Sequence, residues 1–307
     1  MQKTVSLPFS PLTLGTAQLG SNYGIANQTG KPSYQEALKI VDYAVHNGVT
    51  TFDTAVNYGN SEYILGKCLK VLRATNKTLT ITKLPSLNSN KNINQSNQVI
   101  QQARKYLLSS LKNLQLRQLP LLLLHDPKDI AFIEELIRLQ KEGLFRFLGV
   151  SVTQVSQVPN LLEMPECVVI QAPTNLLDQR LSRQGYIALA AKMKKRMLLR
   201  SVYLQGLITL PFSRIIPYLK PVIPQLRQLR RIARNNNMNI KELALRYNLS
   251  LNGASVLIGV ETLLQLQENI DYARKGPLSK KINRQLAQEI DLLPEKILNP
   301  MYWPQKT

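Results

Sequence analysis

The stretch Phe52-Asp53-Thr54-Ala55-Val56-Asn57-Tyr58-Gly59-Asn60-Ser61-Glu62 decides how this chain of 307 residues is read. It leaves an apolar strand over 48–52, carries two ionisable side chains, Asp53 and Tyr58, through a short loop, and enters a helix near Ser61. A strand end feeding a loop is where enzymes built from repeated strand–helix units hold their chemistry. Taken alone, the stretch is equally a capped turn. Asn60 or Ser61 can satisfy helix-start donors, and Asp53 can close the turn with a local hydrogen bond. The flanking sequence separates the two readings.

Upstream, 12–15 reads as a strand running into a small-residue loop over 16–20, followed by a polar, glycine-containing loop over 22–31. From Ser33 the apolar residues Ala37, Ile40, Val41 and Ala44 recur at three and four, Ser33 and Glu36 have capping-box spacing, and Gly48 stops the helix. Downstream the alternation continues. Helix 61–70, strand 79–83, a polar stretch 88–97, helix 99–114 and strand 119–124 lead to His125-Asp126-Pro127. Helix 130–142, strand 145–150, helix 155–162, strand 168–171, helix 182–195 and strand 197–201 follow. After a proline-bearing insert, 202–224, come helices 225–235 and 240–251, strand 255–258 closed by Gly259, helix 262–275 and an extra helix 278–292. Eight strands, each followed by a helix and apolar throughout rather than alternating, predict a parallel (β/α)8 TIM barrel with an extra C-terminal helix, as one domain over 1–307. A doubly wound open sheet is the runner-up. It is weakened because Gly15 and Gly20 do not form a G-x-G-x-x-G fingerprint.

Apolar residues make up 44% of the chain, enough for a sizeable core. The strongest apolar run, 119–124, is far short of the roughly 20 residues of a membrane span. Residues 1–10 lack the basic-then-apolar order of a secretory signal. Cys68 and Cys167, both in apolar context, suggest neither a disulfide framework nor a metal site, so a cytoplasmic protein is expected. The net charge of +20 raises the possibility of a polyanion partner. The cations, however, are dispersed over separate predicted helices without interleaved aromatics, which favours a generally basic surface over a nucleic-acid site.

On the barrel reading Asp53, Lys83 and His125 fall at the ends of strands two, three and four, with Tyr58 five residues past the second. Each alone has an ordinary explanation, as a solvated terminus, a surface partner or a loop aromatic. Together at neighbouring strand ends they converge on one mouth. At this point the chain resembles the aldo-keto reductases along nearly its whole length. The resemblance rests on Leu14-Gly15-Thr16, Phe52-Asp53-Thr54-Ala55 with Tyr58-Gly59-Asn60-Ser61-Glu62, Thr82-Lys83, Leu124-His125-Asp126-Pro127, Gly149-Val150-Ser151, Gln171 with Asn175, Gln205-Gly206-Leu207, and Ile258-Gly259 with Glu268-Asn269. It is greatest with bacterial members opening Gly-Thr-Ala-Gln-Leu-Gly, some of them associated with sugar metabolism.

The resemblance implies reduction of an aldehyde or ketone, without a metal, by a nicotinamide cofactor. In such a reaction a proton must reach the carbonyl oxygen. A phenol with pKa near ~10 needs a neighbouring cation to serve as that acid. Tyr58 is then the expected donor, Lys83 the cation, Asp53 the group that holds Lys83, and His125 the group that orients the carbonyl. Gly15, Thr16, Ser151, Gln171, Arg200, Ser201, Tyr203, Gln205, Gly206, Gly259, Gln265, Glu268 and Asn269 are the expected cofactor contacts. Arg200 stands where many members stack an aromatic on the nicotinamide, and its charge would disfavour an oxidised ring. Members specific for the 2′-phosphate carry Arg and Lys where this chain has Gln265 and Gly259. NADPH is the expected cofactor on family habit, with NADH the alternative. A non-catalytic regulator of the same fold is the second reading of the family pattern, and a polyanion-binding protein the third.

Overall fold

The computed structural model describes residues 7–87 and 96–304. Eight parallel strands pair in chain order: β1 (Leu12–Gly15), β2 (Thr51–Asp53), β3 (Leu79–Leu84), β4 (Leu119–Leu124), β5 (Phe145–Ser151), β6 (Cys167–Pro173), β7 (Arg196–Arg200) and β8 (Ala254–Gly259). β8 closes onto β1, giving the (β/α)8 barrel. Both faces of these strands are covered, so apolar residues run without alternation. β3 is buried along its whole length and β4 at every residue but Pro120.

Alternate residues nevertheless serve two compartments. Leu79, Ile81, Leu121, Leu123, Val169 and Leu198 form a compact cluster inside the barrel, joined by Leu7. Phe52, Leu84, Leu122, Leu124 and Ile170 pack outward with helix residues such as Ile40, Leu65 and Leu107. Because side chains alternate along a strand, the inward position after Ile81 is Lys83, after Leu123 it is His125, and after Thr51 it is Asp53. By the same step Val169 is followed by Gln171 and Leu198 by Arg200. The apolar filling therefore ends in a polar layer at the carboxyl ends of the strands.

The helix Tyr34–His46 starts at the Ser33–Glu36 capping box and buries the predicted stripe, and the extra C-terminal helix is Lys280–Glu289, capped by Ser279. Several segments differ from expectation. The helix predicted over 182–195 is two short pieces, Arg180–Arg183 and Tyr186–Lys192, because Gly185 takes a left-handed conformation (φ 70°) between them. The one predicted from 130 opens as a 3-10 segment, Pro127–Phe132, whose start is fixed by Asp126 accepting from the Lys128 N–H, before α-helical Ile133–Lys141. The 16–20 loop closes into a helical turn, Ala17–Gly20, and β2 begins later than 48 because Gly48 turns there. The insert 202–224 is wound into 3-10 turns, Leu204–Thr209, Phe212–Arg214 and Pro217–Val222. Most of the polar stretch 88–97 lies outside the described residues. No helix among the described residues is long and apolar enough to cross a membrane.

Candidate active site

Lys83 and Asp53 are almost completely buried, with 1% and 2% of their surfaces exposed. Lys83 Nζ ion-pairs with Asp53 Oδ1 and donates to the Thr54 carbonyl at 2.8 Å. The other carboxylate oxygen, Asp53 Oδ2, accepts from Gln171 Nε2 at 2.8 Å, and Gln171 Oε1 accepts from Ser151 Oγ at 2.9 Å. A polar chain, Ser151–Gln171–Asp53–Lys83, thus crosses the barrel mouth from β5 to β3. The alternative of Asp53 as the closer of a local turn is overturned, since its carboxylate serves partners 30 and 118 residues away. Burial alone would depress the Lys83 ammonium, but Asp53, and after it Tyr58, outweigh that penalty and hold its pKa above the ordinary value.

Tyr58 lies over this pair, its ring centroid 4.9 Å from Lys83 Nζ. His125 meets the Tyr58 ring edge to face, with centroids 5.9 Å apart and planes at 87°. A tight turn seats the tyrosine: Tyr58 N–H donates to Ala55 O, Ser61 N–H donates to Tyr58 O, and Gly59 has φ 60°. Gly20 packs directly beneath, where a Cβ would stand 1.8 Å from Tyr58 O. The capping expectation for this turn needs correcting. Asn60 precedes the helix Ser61–Val71 without a side-chain cap, its amide oxygen instead accepting from Lys31 Nζ at 2.6 Å. Ser61 is wholly buried and turns inward, donating to Thr16 O at 2.7 Å. Burial first, then the positive charges of Lys83 and Arg200 against the opposing Asp126, push the His125 pKa down to about 4. Its imidazole is therefore neutral at pH 7.

A cavity of about 710 Å³ runs from this mouth to the helices Ile240–Leu249 and Leu263–Arg274. Most of the residues expected from sequence line it. Gly15, Asp53, Tyr58, His125, Ser151, Gln171 and Arg200 face the barrel end. Ser201, Tyr203, Gln205 and Gly206 line the stretch after β7, and Gly259, Gln265, Glu268 and Asn269 the outer end. Two do not line it. Lys83 lies beneath Tyr58. Thr16, expected as a cofactor contact, spends its hydroxyl on the Asp53 carbonyl at 3.0 Å and on Ser61 Oγ, so it braces the wall from behind.

Arg200 is fixed by the Val152 carbonyl at 2.9 Å and Ser201 Oγ at 3.0 Å. The loop that follows holds three non-glycine residues at positive φ, Ser201 (67°), Leu204 (49°) and Gln205 (53°), each costing roughly 1–3 kcal/mol and all lining the cavity. Further out, the hydroxyl of the half-buried Tyr203 donates to Asn269 Oδ1, and Asn269 Nδ2 donates to Gln265 O at 2.7 Å. Burial raises the Tyr203 pKa well above the phenol range. Sequence reasoning missed Tyr23, Arg214, Lys241, Glu261 and Met301, which also line the cavity. They sit on loops and outer helices, where no periodicity marks them. The available hint was Glu261, polar and just past the end of a barrel strand.

Residues 11–290 match the family model for the Aldo/keto reductase family. The chain belongs to this family. Methylglyoxal reductase DkgA of Escherichia coli O157:H7 is 34% identical over 137 residues, spanning 43% of this aldo/keto reductase and 46% of that one. The chain thus matches about half the length of that relative. D-arabinose 1-dehydrogenase of Saccharomyces cerevisiae is 26% identical over 289 residues, 85% of this chain and 82% of the yeast protein. Among solved structures, the holo form of aldo-keto reductase AKR11C1 from Bacillus halodurans superposes with a TM-score of 0.74 at 21% identity, covering 95% of this chain and 96% of that one. At that identity the likeness speaks for the fold.

Proposed function

We propose that this aldo/keto reductase reduces an aldehyde or ketone to an alcohol with a nicotinamide cofactor. The observation that carries the reading is the cluster of Asp53, Lys83, Tyr58 and His125 at one end of a long cavity. The lining suits a dinucleotide. Ser151 and Gln171 offer amide-binding groups at the reactive end, Arg200 offers a cation, and the outer helices carry polar side chains at the far end. Its volume lies within the roughly 300–1,000 Å³ of small-molecule sites.

The bound cofactor supplies the hydride. Tyr58 gives its phenolic proton to the carbonyl oxygen, and the Lys83 ammonium stabilises the negative charge left on the phenol oxygen. Asp53 keeps Lys83 charged and aimed. His125, neutral at working pH, donates an N–H to the carbonyl oxygen and orients it but cannot serve as the acid. Gln171 ties the amide-binding end to Asp53, so cofactor seating and Lys83 placement share one hydrogen-bond chain. The relatives named for methylglyoxal and D-arabinose point to small, oxygen-rich carbonyls as the substrate class. The test is loss of nicotinamide absorbance across a panel of aldehydes, α-oxoaldehydes, ketones and aldoses. Turnover absent in wild type and Tyr58→Phe alike would defeat the proposal and favour a cofactor-holding regulator.

A further inference from the structure

We infer that this chain selects NADH over NADPH, and that Glu261 makes the selection. The inference rests on the reductase reading above. If the reactive ring lies at Tyr58, the opposite end of the dinucleotide, with its ribose 2′ position, must lie between the outer helices. There the cavity is faced by Glu261, Gln265, Glu268 and Lys241.

This end already contains its anions. Lys241, the cation that these two helices contribute to the lining, is engaged with Glu268 at 2.8 Å. Glu261 forms no ion pair among the described residues, and its carboxylate is held in place by Gln265, whose Nε2 donates to Glu261 Oε2 at 2.7 Å while its Oε1 accepts the Glu261 N–H at 2.7 Å. At the start of the helix Leu263–Arg274, Thr262 Oγ1 accepts the Gln265 N–H, so one of the donors that could face a phosphate is taken and a carboxylate stands beside it. A 2′-phosphate brings roughly −1.5 to −2 charge at pH 7. Against Glu261 it meets like charge, whereas a free ribose hydroxyl can donate to the open Glu261 Oε1. In doubly wound dinucleotide folds the same chemistry operates, an acidic residue at the ribose binding the 2′-hydroxyl and an arginine admitting the 2′-phosphate. The overall charge of +20 does not reverse this, because exposed charges are screened beyond about 8 Å at physiological salt, whereas Glu261 stands at the site itself.

The experiment is calorimetric titration of the full chain with NADH and NADPH, without substrate, for wild type, Glu261→Gln and Glu261→Arg. Wild type is expected to bind NADH at least about tenfold more tightly, because juxtaposed like charges suppress binding of the wrong partner. Glu261→Gln should narrow the ratio, and Glu261→Arg should invert it. Comparable or tighter wild-type binding of NADPH overturns the inference while leaving the reductase reading intact, as does a ratio unchanged in Glu261→Gln. Binding of neither nucleotide overturns both.

Discussion

Replacing Lys83 by Met isolates what the buried pair contributes. The variant keeps most of the side-chain volume but leaves Asp53, 2% exposed, without its cation. One side-chain donor to the carboxylate remains, Gln171 Nε2. Removing one member of a buried ion pair costs about 3–5 kcal/mol, chiefly because the other charge stays desolvated. The loss is expected near the low end of that range, since Gln171 still donates. Adding Asp53→Asn takes the stranded charge away, so Lys83→Met/Asp53→Asn should be more stable than Lys83→Met alone. Urea unfolding of wild type, both single variants and the double variant gives the coupling directly. Additive single-variant effects, or a deficit below about 1 kcal/mol, a typical exposed-pair value, would refute the claim that this pair is electrostatically coupled in a dry site. Turnover provides an independent reading. If Lys83 supports the departing Tyr58 proton, the double variant remains inactive even where its stability recovers.

Tyr58→Phe should lower turnover by about 10²–10⁴ while leaving the dissociation constant for the nucleotide within about twofold, measured by stopped-flow and titration. Gly20→Ala places a methyl 1.8 Å from Tyr58 O, so it should displace the tyrosine and depress kcat far more than cofactor affinity. Gln171→Leu removes the link between Ser151 and Asp53 and should weaken nucleotide binding and turnover together, whereas a purely structural role would appear only in the urea midpoint. The folded-state pKa of His125 is about 4, below the ordinary 6.5, so the folded protein binds fewer protons than the unfolded chain between those values. Stability from this residue is complete above pH 6.5 and falls by up to about 3 kcal/mol as pH drops toward 4. His125→Gln should flatten that decline in urea midpoints collected from pH 7 to 4.5.

The barrel, the order of its elements and the quartet Asp53, Tyr58, Lys83 and His125 were legible in the sequence because each depends on local chemistry. Uninterrupted apolar strands, the capping box at Ser33, and polar residues placed just past strand ends are properties of a few consecutive positions. The sequence also shows that Lys83 shares the parity of Leu79 and Ile81, and parity alone turns it inward. The links between elements were not legible. That Gln171 donates to Asp53 rather than only to a ligand follows from bringing β6 opposite β2 across a closed barrel, a proximity set by strand register and not by spacing in the chain. Gly20 matters because Tyr58 O is packed onto it, and Thr16 turned out to be a brace because Ser61 faces inward. Glu261 gained its meaning only when the ends of two outer helices met around the far end of the cavity. Sequence by itself determined which groups are available and which way each strand presents them; the tertiary structure decided which of them touch, because contact and desolvation arise between segments that are distant in the chain.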